Sequence, residues 1–244
     1  MSRVLAYARF EAVSALRNGE QLLISIILPA LVLVGLGRSG VVELDLLPGQ
    51  DRLDVVAPGV LGLAVLSSAF TSQAIATAFD RRWGVLRQLA TTPLGSTGIV
   101  AGKVLSVFAV QVVQVVALGA LALALGWRPE VAGVPGALLV GALGSVAFTS
   151  LGLLIAGTLR AEAVLAVANL LWVLLLVGGG LVLPAATFSN GLAALTSWLP
   201  SGAMGDALRL SLTGGGFDVV ATLVVAAWAA LLAALAAKLF RPTS

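Results

Sequence analysis

The sequence predicts an all-α membrane protein with six membrane-spanning helices. Its 14 basic and 11 acidic residues form short clusters, and the long stretches between these clusters contain no Asp, Glu, Lys or Arg. The hydrocarbon core of a bilayer is about 30 Å thick and is crossed by about 20 apolar helical residues. The composition agrees, because only 10% of the residues are charged and the mean hydropathy is +1.09, whereas soluble domains are about 25% charged.

In chain order, the first predicted element is an interfacial helix over residues 1–20. Its small and apolar residues recur at every third or fourth position: Leu5, Ala8, Ala12 and Leu16. Such a helix lies in the membrane interface with its basic residues toward lipid headgroups. The pair Asn18-Gly19 breaks it before the first span. The alternative is a solvated, partly ordered tail.

Six apolar stretches follow and are the predicted spans. They cover about residues 21–37, 55–79, 104–125, 136–158, 163–183 and 219–237. Pro29 interrupts the first span and is tolerated if a neighbouring group satisfies the carbonyl that loses its N–H partner. Pro58 lies near the start of the second span, where a missing N–H costs little. The whole chain, residues 1–244, is thus predicted to be one transmembrane domain with both termini on the same side.

The distribution of Lys and Arg decides which side that is. The segments on the side of the termini contain ten Lys and Arg but four Asp and Glu, while the other segments contain four and seven. Because basic residues are retained on the inner side, we expect cytoplasmic termini and a bacterial inner or plasma membrane. The pI of about 10.2 is explained by this topology signal rather than by nucleic-acid binding.

The residue types that are missing exclude several kinds of catalysis. The chain has no Cys and no His, which excludes disulfides, thiolate nucleophiles, Ser–His dyads and His-bound zinc. A Gly-x-x-x-x-Gly-Lys-Ser/Thr loop for ATP is also absent. The spans carry no ionisable group of the kind that ion-coupled carriers use. We therefore expect a chain that binds no cofactor, is not an enzyme and receives its energy from outside the bilayer.

The most distinctive segment is the loop of residues 80–94 between the second and third spans. It begins Asp80-Arg81-Arg82-Trp83-Gly84-Val85-Leu86-Arg87 and ends in Thr92-Pro93-Leu94. Trp83, Leu86 and Ala90 are predicted to form one apolar side of a short helix that Pro93 ends. An ordinary basic loop is the alternative, and it accounts for the arginines but not for Trp-Gly or Thr-Pro-Leu.

This loop resembles that of the ABC-2 type transporter permeases. The shared features are a charged run at residues 80–82, then Gly84 and Leu86, Thr-Pro-Leu at 92–94 and Gly102-Lys103 at the next span. The run Ala-Pro-Gly-Val-Leu at residues 57–61 is similar to the start of that family's second span. Arg82 and Val85 depart from the pattern, because the family usually has an acidic residue and Thr there. The resemblance extends from one end of the chain to the other.

The resemblance implies the permease subunit of an ATP-driven ABC exporter, with ATP and Mg bound by a separate ATP-binding subunit. It also implies that the loop contains a coupling helix that docks on this subunit. The implied contact residues are Asp80, Arg81, Arg82, Trp83, Gly84, Leu86 and Arg87. Arg160 and Glu162, in the short loop between the fourth and fifth spans, are candidates for a secondary contact. Their alternative role is topology and helix capping.

The resemblance further implies short re-entrant helices in the outer segment of residues 184–217, before the last span. Residues 191–198 and 205–212 are each long enough for two helical turns. Asp206 and Arg209 lie three positions apart and are predicted to form a surface ion pair.

A few polar side chains lie within the predicted spans. Together with two aromatic residues they are candidates for a substrate path: Gln73, Phe108, Gln111, Gln114, Asn169 and Trp172. The alternative for the polar residues is hydrogen bonding between helices, which is worth about 0.6 kcal/mol per bond in a bilayer. The aromatic residues would then only pack.

One chain of six spans is half a transporter, so we expect a dimer with a second copy or a paralogue, surrounded by membrane lipid. Spans without charge favour an amphipathic or hydrophobic substrate, such as a drug, an antibiotic or a lipid-like compound, moved out of the cytoplasm. Export of a polysaccharide or a lipid-linked molecule is the alternative within the family. Outside the family the alternative is a channel, although no repeated pore motif or ring of charges is present.

Overall fold

The computed structural model consists of α-helices and their connections throughout the part that it describes, which confirms the all-α prediction. It describes residues 3–39, 50–184, 189–214 and 216–239, and none of these residues lies in a β-strand. The first two residues of the predicted interfacial helix lie outside this part. So do residues 185–188 and 215 of the predicted outer segment.

The described ranges contain eleven α-helices. They are α1 (Arg3–Arg17), α2 (Gly19–Arg38), α3 (Arg52–Leu66), α4 (Gln73–Arg82), α5 (Val85–Ala90), α6 (Gly95–Ala124), α7 (Val134–Thr158), α8 (Ala161–Val177), α9 (Asn190–Trp198), α10 (Pro200–Leu212) and α11 (Val219–Leu239). A π-helical turn, Ser67–Ser72, joins α3 to α4 without a break, and a 3-10 turn, Val131–Gly133, precedes α7.

Four helical segments of the described part are long and apolar enough to cross a bilayer. They are Arg52–Arg82, Thr97–Ala124, Val131–Thr158 and Val219–Leu239. Two shorter apolar helices, Ser25–Arg38 and Ala161–Val177, lie where the first and fifth spans are predicted. The membrane character of the chain is confirmed by these helices, and the number of six spans stays a prediction.

Two helices have other limits than the charge pattern suggests. α6 begins at Gly95 rather than near residue 104, because Lys103 lies inside the helix and is fully buried. α8 ends at Val177 rather than near residue 183, and Gly180 in the following irregular stretch has a φ of 74°. A charged residue therefore does not mark the start of a membrane helix when another side chain of the protein pairs with that charge.

The segment Arg52–Arg82 lies at the centre of the bundle, and 78% of its most apolar window is buried. It packs against α7 and α10 around three large buried side chains, Phe70, Phe148 and Met204. The α7 backbone approaches closely, because a Cβ added to Gly152 would lie 2.9 Å from the Phe70 carbonyl oxygen. Glycine in α7 thus permits the tight helix contact that small residues provide in membranes.

The buried end of α10 corrects one sequence prediction. Arg209 is not a surface residue, since it is 8% exposed. Its guanidinium donates to the carbonyls of Val55 at 3.3 Å, Gly180 at 3.0 Å and Leu181, as well as to Asp206 Oδ1 at 3.3 Å. Arginine has five donors, and here they satisfy backbone carbonyls around the end of α8, so the predicted surface ion pair is wrong in its setting.

The carbonyl freed by Pro29 is satisfied by a side chain from another helix. Proline lacks the N–H that would bond to the carbonyl four residues earlier, which is that of Ser25. Gln114 Nε2 in α6 donates to this oxygen at 3.1 Å. The condition under which the first predicted span tolerates a proline is therefore met.

Candidate functional site

The distinctive loop lies at one end of the bundle, where α1, the end of α4, α5, the first third of α6 and the α7–α8 junction meet. We call it the basic end. Lys103 connects three of these elements, because its Nζ lies 3.0 Å from Asp80 Oδ2 and 3.3 Å from both carboxylate oxygens of Glu11. The Lys103 side chain is completely buried. An unpaired ammonium would be very costly there, so the two carboxylates are needed for this packing.

Tyr7 joins the same cluster from α1. Its hydroxyl donates to Glu11 Oε1 at 2.6 Å, and its ring lies against Gly102, where an added Cβ would come within 3.0 Å of Tyr7 Cε1. Burial raises the pKa of Tyr7 well above its ordinary value of 10, and the negative charge of Glu11 adds to this effect. The N-terminal helix is thus packed firmly on α6 by a ring contact and a chain of polar contacts.

The two arginines that follow Asp80 have different roles. Arg81 donates to the carbonyls of Ala156 at 2.9 Å and Leu159 at 3.0 Å, at the end of α7. Carbonyls at a helix C-terminus lack intrahelical partners and favour a positive charge. Arg82 forms an exposed ion pair with Glu162 in the first turn of α8. Both arginines connect the loop to the α7–α8 junction.

The predicted single helix with Trp83, Leu86 and Ala90 on one side is wrong. α4 continues to Arg82, the chain turns at Trp83 and Gly84, and a separate helix α5 begins at Val85. Gly84 has a φ of 77°, a conformation that favours glycine. The turn places Trp83 in the open, 71% exposed, and Leu86 in the interior, 0% exposed.

Leu86 belongs to a small hydrophobic cluster below the turn, together with Tyr7, Ile99 and Leu153. It attaches α5 to α1, α6 and α7 and is not part of the exposed surface. Asp80 and Arg81 are half-buried and also point to partners within the chain. Of the seven predicted contact residues, those exposed on the surface are Arg82, Trp83 and Arg87.

The exposed part of the basic end is cationic and contains one large aromatic residue. Trp83 contacts Phe79 in a tilted arrangement, with 5.3 Å between the ring centroids. Arg87 and Arg160 are exposed, and Glu162 is paired with Arg82. Trp and Arg are the residue types most enriched where proteins bind tightly to each other. The arrangement is suited to contact with another protein.

The predicted path residues have different surroundings in the structure. Three of them bond between helices: Gln111 Nε2 donates to Ser68 Oγ at 3.3 Å, Gln114 to the Ser25 carbonyl, and Trp172 Nε1 to Ser67 Oγ at 2.9 Å. For these three the structure favours the structural alternative.

The other three predicted path residues differ from one another. Asn169 is exposed on α8 among apolar side chains, and Phe108 is half-buried on α6. Gln73 is 9% exposed, and its Oε1 has no hydrogen-bond partner in the described part of the chain. Gln73 lines a crevice beside the π-helical turn. The sequence shows which side chains in the spans are polar, but it does not show which polar atoms lack a hydrogen-bond partner.

The opposite end of the bundle contains a polar cavity of about 310 Å3 that the sequence did not indicate. It is lined by Asp51, Asp54, Gly126, Trp127 and Arg128. Among the residues described, no group of three or more acidic side chains is arranged to hold a metal ion. The cavity combines both signs of charge and lies far along the chain from the Asp80–Arg87 loop.

Comparison with protein families gives one match that covers most of the chain. The family described as ABC-2 type transporter matches residues 3–213. The matched region includes α1, the Asp80–Arg87 loop and the segment that carries Arg209. A search of curated proteins found no match.

Proposed function

The chain belongs to the ABC-2 type transporter family and is therefore a membrane permease component of an ABC transporter; from this premise we propose that it works in an exporter. The family typically works with an ATP-binding subunit. We assign ATP and Mg to such a partner subunit and none to this chain. The transported compound is amphipathic or hydrophobic, because the charged side chains of the membrane-crossing helices lie near the helix ends and the central parts offer no charge to a charged compound.

The exposed Trp83 is the observation that carries the proposal. A side chain of this size, 71% exposed beside Arg82 and Arg87, fits a groove with an apolar floor and carboxylates at its rim. Aromatic and arginine side chains contribute most to such contacts. The turn of Trp83 and Gly84, followed by α5, is therefore the coupling element. Arg160 and Glu162 extend the contact surface.

The coupling element is attached to several transmembrane helices at once. Lys103 connects α4 to α6, Arg81 connects it to the end of α7, and Leu86 packs into the cluster that joins α5 to α1 and α7. A movement of the partner against Trp83 would therefore be transmitted to α4, α6 and α7 together. Such rigid attachment is what a mechanical coupling from an ATPase requires.

The distribution of basic residues supports a cytoplasmic location of the basic end. α1, the loop after α4 and the α7–α8 junction lie at one end, and this end contains most of the basic residues. With α2 and α8 counted as spans, six crossings put both termini on the same side, and the excess of Lys and Arg at the basic end supports the cytoplasm of a bacterial cell as that side. In α6 and in α11, only 28% of the most apolar stretch is buried inside the chain. The exposed apolar faces of these two helices are available to lipid and to a second copy or paralogue.

The test compares two tryptophans of similar exposure at different places in the fold. Trp83 is 71% exposed, and Trp198, at the end of α9, is 66% exposed. We expect Trp83→Ala to reduce co-purification of an ATP-binding subunit by at least about tenfold, since an interface tryptophan is commonly worth more than 1.4 kcal/mol. Trp198→Ala should leave co-purification unchanged. The measurement is a mild-detergent pull-down from the native cells with a vanadate-sensitive ATPase assay of the eluate.

Equal recovery of the ATPase subunit with both variants would contradict the coupling assignment. A wild-type chain that elutes alone and without ATPase activity in several detergents would contradict the proposed ATP-driven export.

A further inference from the structure

A small crevice opens within the bundle, outward of the basic end. It lies between α1, α2, the π-helical turn and α6, and Ser25, Ser68, Ser72, Gln73 and Val107 are among its lining residues. Its free volume is about 20 Å3, and about 10–15 Å3 is enough for one water molecule. Gln73 lies seven residues before Asp80, which is about 10 Å along the helix.

Eight buried side chains of the described part have a polar atom without a hydrogen-bond partner, and Gln73 is the one of them that lines this crevice. It is 9% exposed, and its Oε1 has no partner among the described residues. A buried amide oxygen without a hydrogen bond is unfavourable. Gln111 shows the contrast, because its amide donates to Ser68 Oγ at 3.3 Å and accepts from Ser145 Oγ at 2.7 Å. Gln73 Oε1 therefore has unused hydrogen-bonding capacity at the crevice, whereas Gln111 Oε1 is already bonded.

The π-helical turn accounts for the position of this space. Ser67–Ser72 is wider than an α-helix, and α4 starts with Gln73 directly after it. Ser68 and Ser72 lie on the turn and line the crevice beside Gln73. Single π-helical turns in α-helices are frequent at functional sites. A hydroxyl group placed here can donate to Gln73 Oε1 and accept from serine hydroxyls.

We propose that Gln73, with Ser68 and Ser72 beside it, forms a binding site for a small neutral hydroxyl group. No ionisable residue lines the crevice, and a charged group would be strongly disfavoured without one. The hydroxyl belongs either to a water molecule or to an alcohol group of the transported compound. The second source rests on the proposed export function, whereas the first does not.

The test uses the full chain in detergent micelles, deuterated and labelled with 15N in the glutamine side chains. The chain has six glutamines, and the Gln73 amide signal is assigned by its loss in Gln73→Met, a substitution of similar length and volume. We expect nuclear Overhauser transfer from the water signal to the Gln73 amide protons. Gln111 of the same sample, whose Oε1 accepts from Ser145 Oγ and whose Nε2 donates to Ser68 Oγ, is the internal comparison and should show weaker transfer. Addition of 1-octanol, with octane as the control, probes an alcohol.

Water transfer without a saturable octanol shift assigns the site to water. A saturable shift of the Gln73 signal with octanol but not octane assigns it to an alcohol. If the Gln73 signal is assigned but shows neither water transfer nor a saturable octanol shift, the proposal is overturned.

If the ATPase partner is found, Gln73→Met should raise KM for an alcohol-bearing substrate about five- to tenfold with kcat unchanged, as expected for one lost hydrogen bond of binding. A wild-type chain that associates with no ATPase subunit contradicts the proposed function and leaves the spectroscopic result intact.

Discussion

At the scale of single residues, Lys103 has the largest consequences for the basic end. Its buried ammonium is shared by Asp80 of α4 and Glu11 of α1, whose side chains are 24% and 18% exposed. One cation for two carboxylates leaves the cluster negative, and the Tyr7 hydroxyl donates a further hydrogen bond to Glu11. Lys103 is the member on which the others depend, because its removal leaves both carboxylates without their cation.

We expect Lys103→Met to destabilise the protein by about 3 kcal/mol, since it leaves two carboxylates close together without their cation. Lys238→Met, at an exposed position in the last turn of α11, should have almost no effect. Thermal unfolding in detergent, followed by intrinsic fluorescence, measures both. Equal melting temperatures of the two variants would show that the buried pairs do not contribute.

Tyr7 gives a prediction on pH. Tyr7 is the single tyrosine of the chain, and burial followed by the charge of Glu11 raises its pKa above the ordinary 10. A folded-state pKa above the unfolded one means that this stabilisation is complete below pH 10 and is lost as the pH rises further.

Tyrosinate absorbance at 295 nm should therefore stay absent at pH 10.5 in the folded protein and develop only at higher pH or on unfolding. Glu11→Gln should move the titration to lower pH. Half-ionisation near pH 10 in the folded wild type would contradict the buried, hydrogen-bonded geometry.

At the scale of elements, two helical segments depart from regular geometry, and side chains from other helices bond to them there. α2 is interrupted by Pro29, and Gln114 of α6 binds the freed carbonyl of Ser25. The π-helical turn Ser67–Ser72 receives a hydrogen bond from Trp172 of α8 at 2.9 Å. These contacts explain why polar side chains occur in spans that are otherwise apolar.

The pair of Pro29 and Gln114 allows a double-mutant cycle. We expect Gln114→Leu alone to lower the free energy of unfolding by about 1–3 kcal/mol, because it leaves a buried carbonyl unsatisfied. In Pro29→Ala the restored N–H can bond to Ser25, so Gln114→Leu in that background should cost clearly less. Thermal unfolding of the four proteins gives the coupling energy. Additive effects would show that Gln114 does not compensate for the proline.

At the scale of the whole molecule, the two ends of the bundle differ in the groups they contain. The first end contains the Lys103 cluster and the coupling element, and the second contains α9, α10 and the 310 Å3 polar cavity. Charge is thus restricted to the ends, while the described helices between them present mostly apolar surface.

The proposed orientation is tested with single cysteines, since the chain has none of its own. Gln88→Cys lies at the basic end and Val131→Cys, at a position 78% exposed, at the other. A membrane-impermeant maleimide should label Val131→Cys in intact cells and both variants after lysis. Labelling of Gln88→Cys in intact cells would contradict the proposed orientation and put the basic end outside the cell.

Much of this architecture was predictable from local sequence properties. The long apolar stretches predicted the membrane helices, and the motif at residues 80–94 indicated the family, because transfer free energy and short motifs depend on neighbouring residues in the chain. The predicted limits of α6 and α8 differ from those in the structure, since Lys103 is paired within the protein and the chain after α8 is irregular. A continuous helical period predicts Trp83 and Leu86 on one side, but the chain turns at Gly84 and separates them.

By itself the sequence determined that the chain is a helical membrane protein of the ABC-2 type family with a basic end and no catalytic His or Cys. Only the tertiary structure decided which charges and polar groups meet. Glu11 and Lys103 are 92 positions apart, and Arg209 and Val55 are 154 apart. The physical reason is that such pairs form only after helices pack, and packing depends on shape and hydrogen bonding between segments that no local pattern specifies. The same packing leaves Trp83 exposed and Gln73 Oε1 without a hydrogen-bond partner in the described part of the chain.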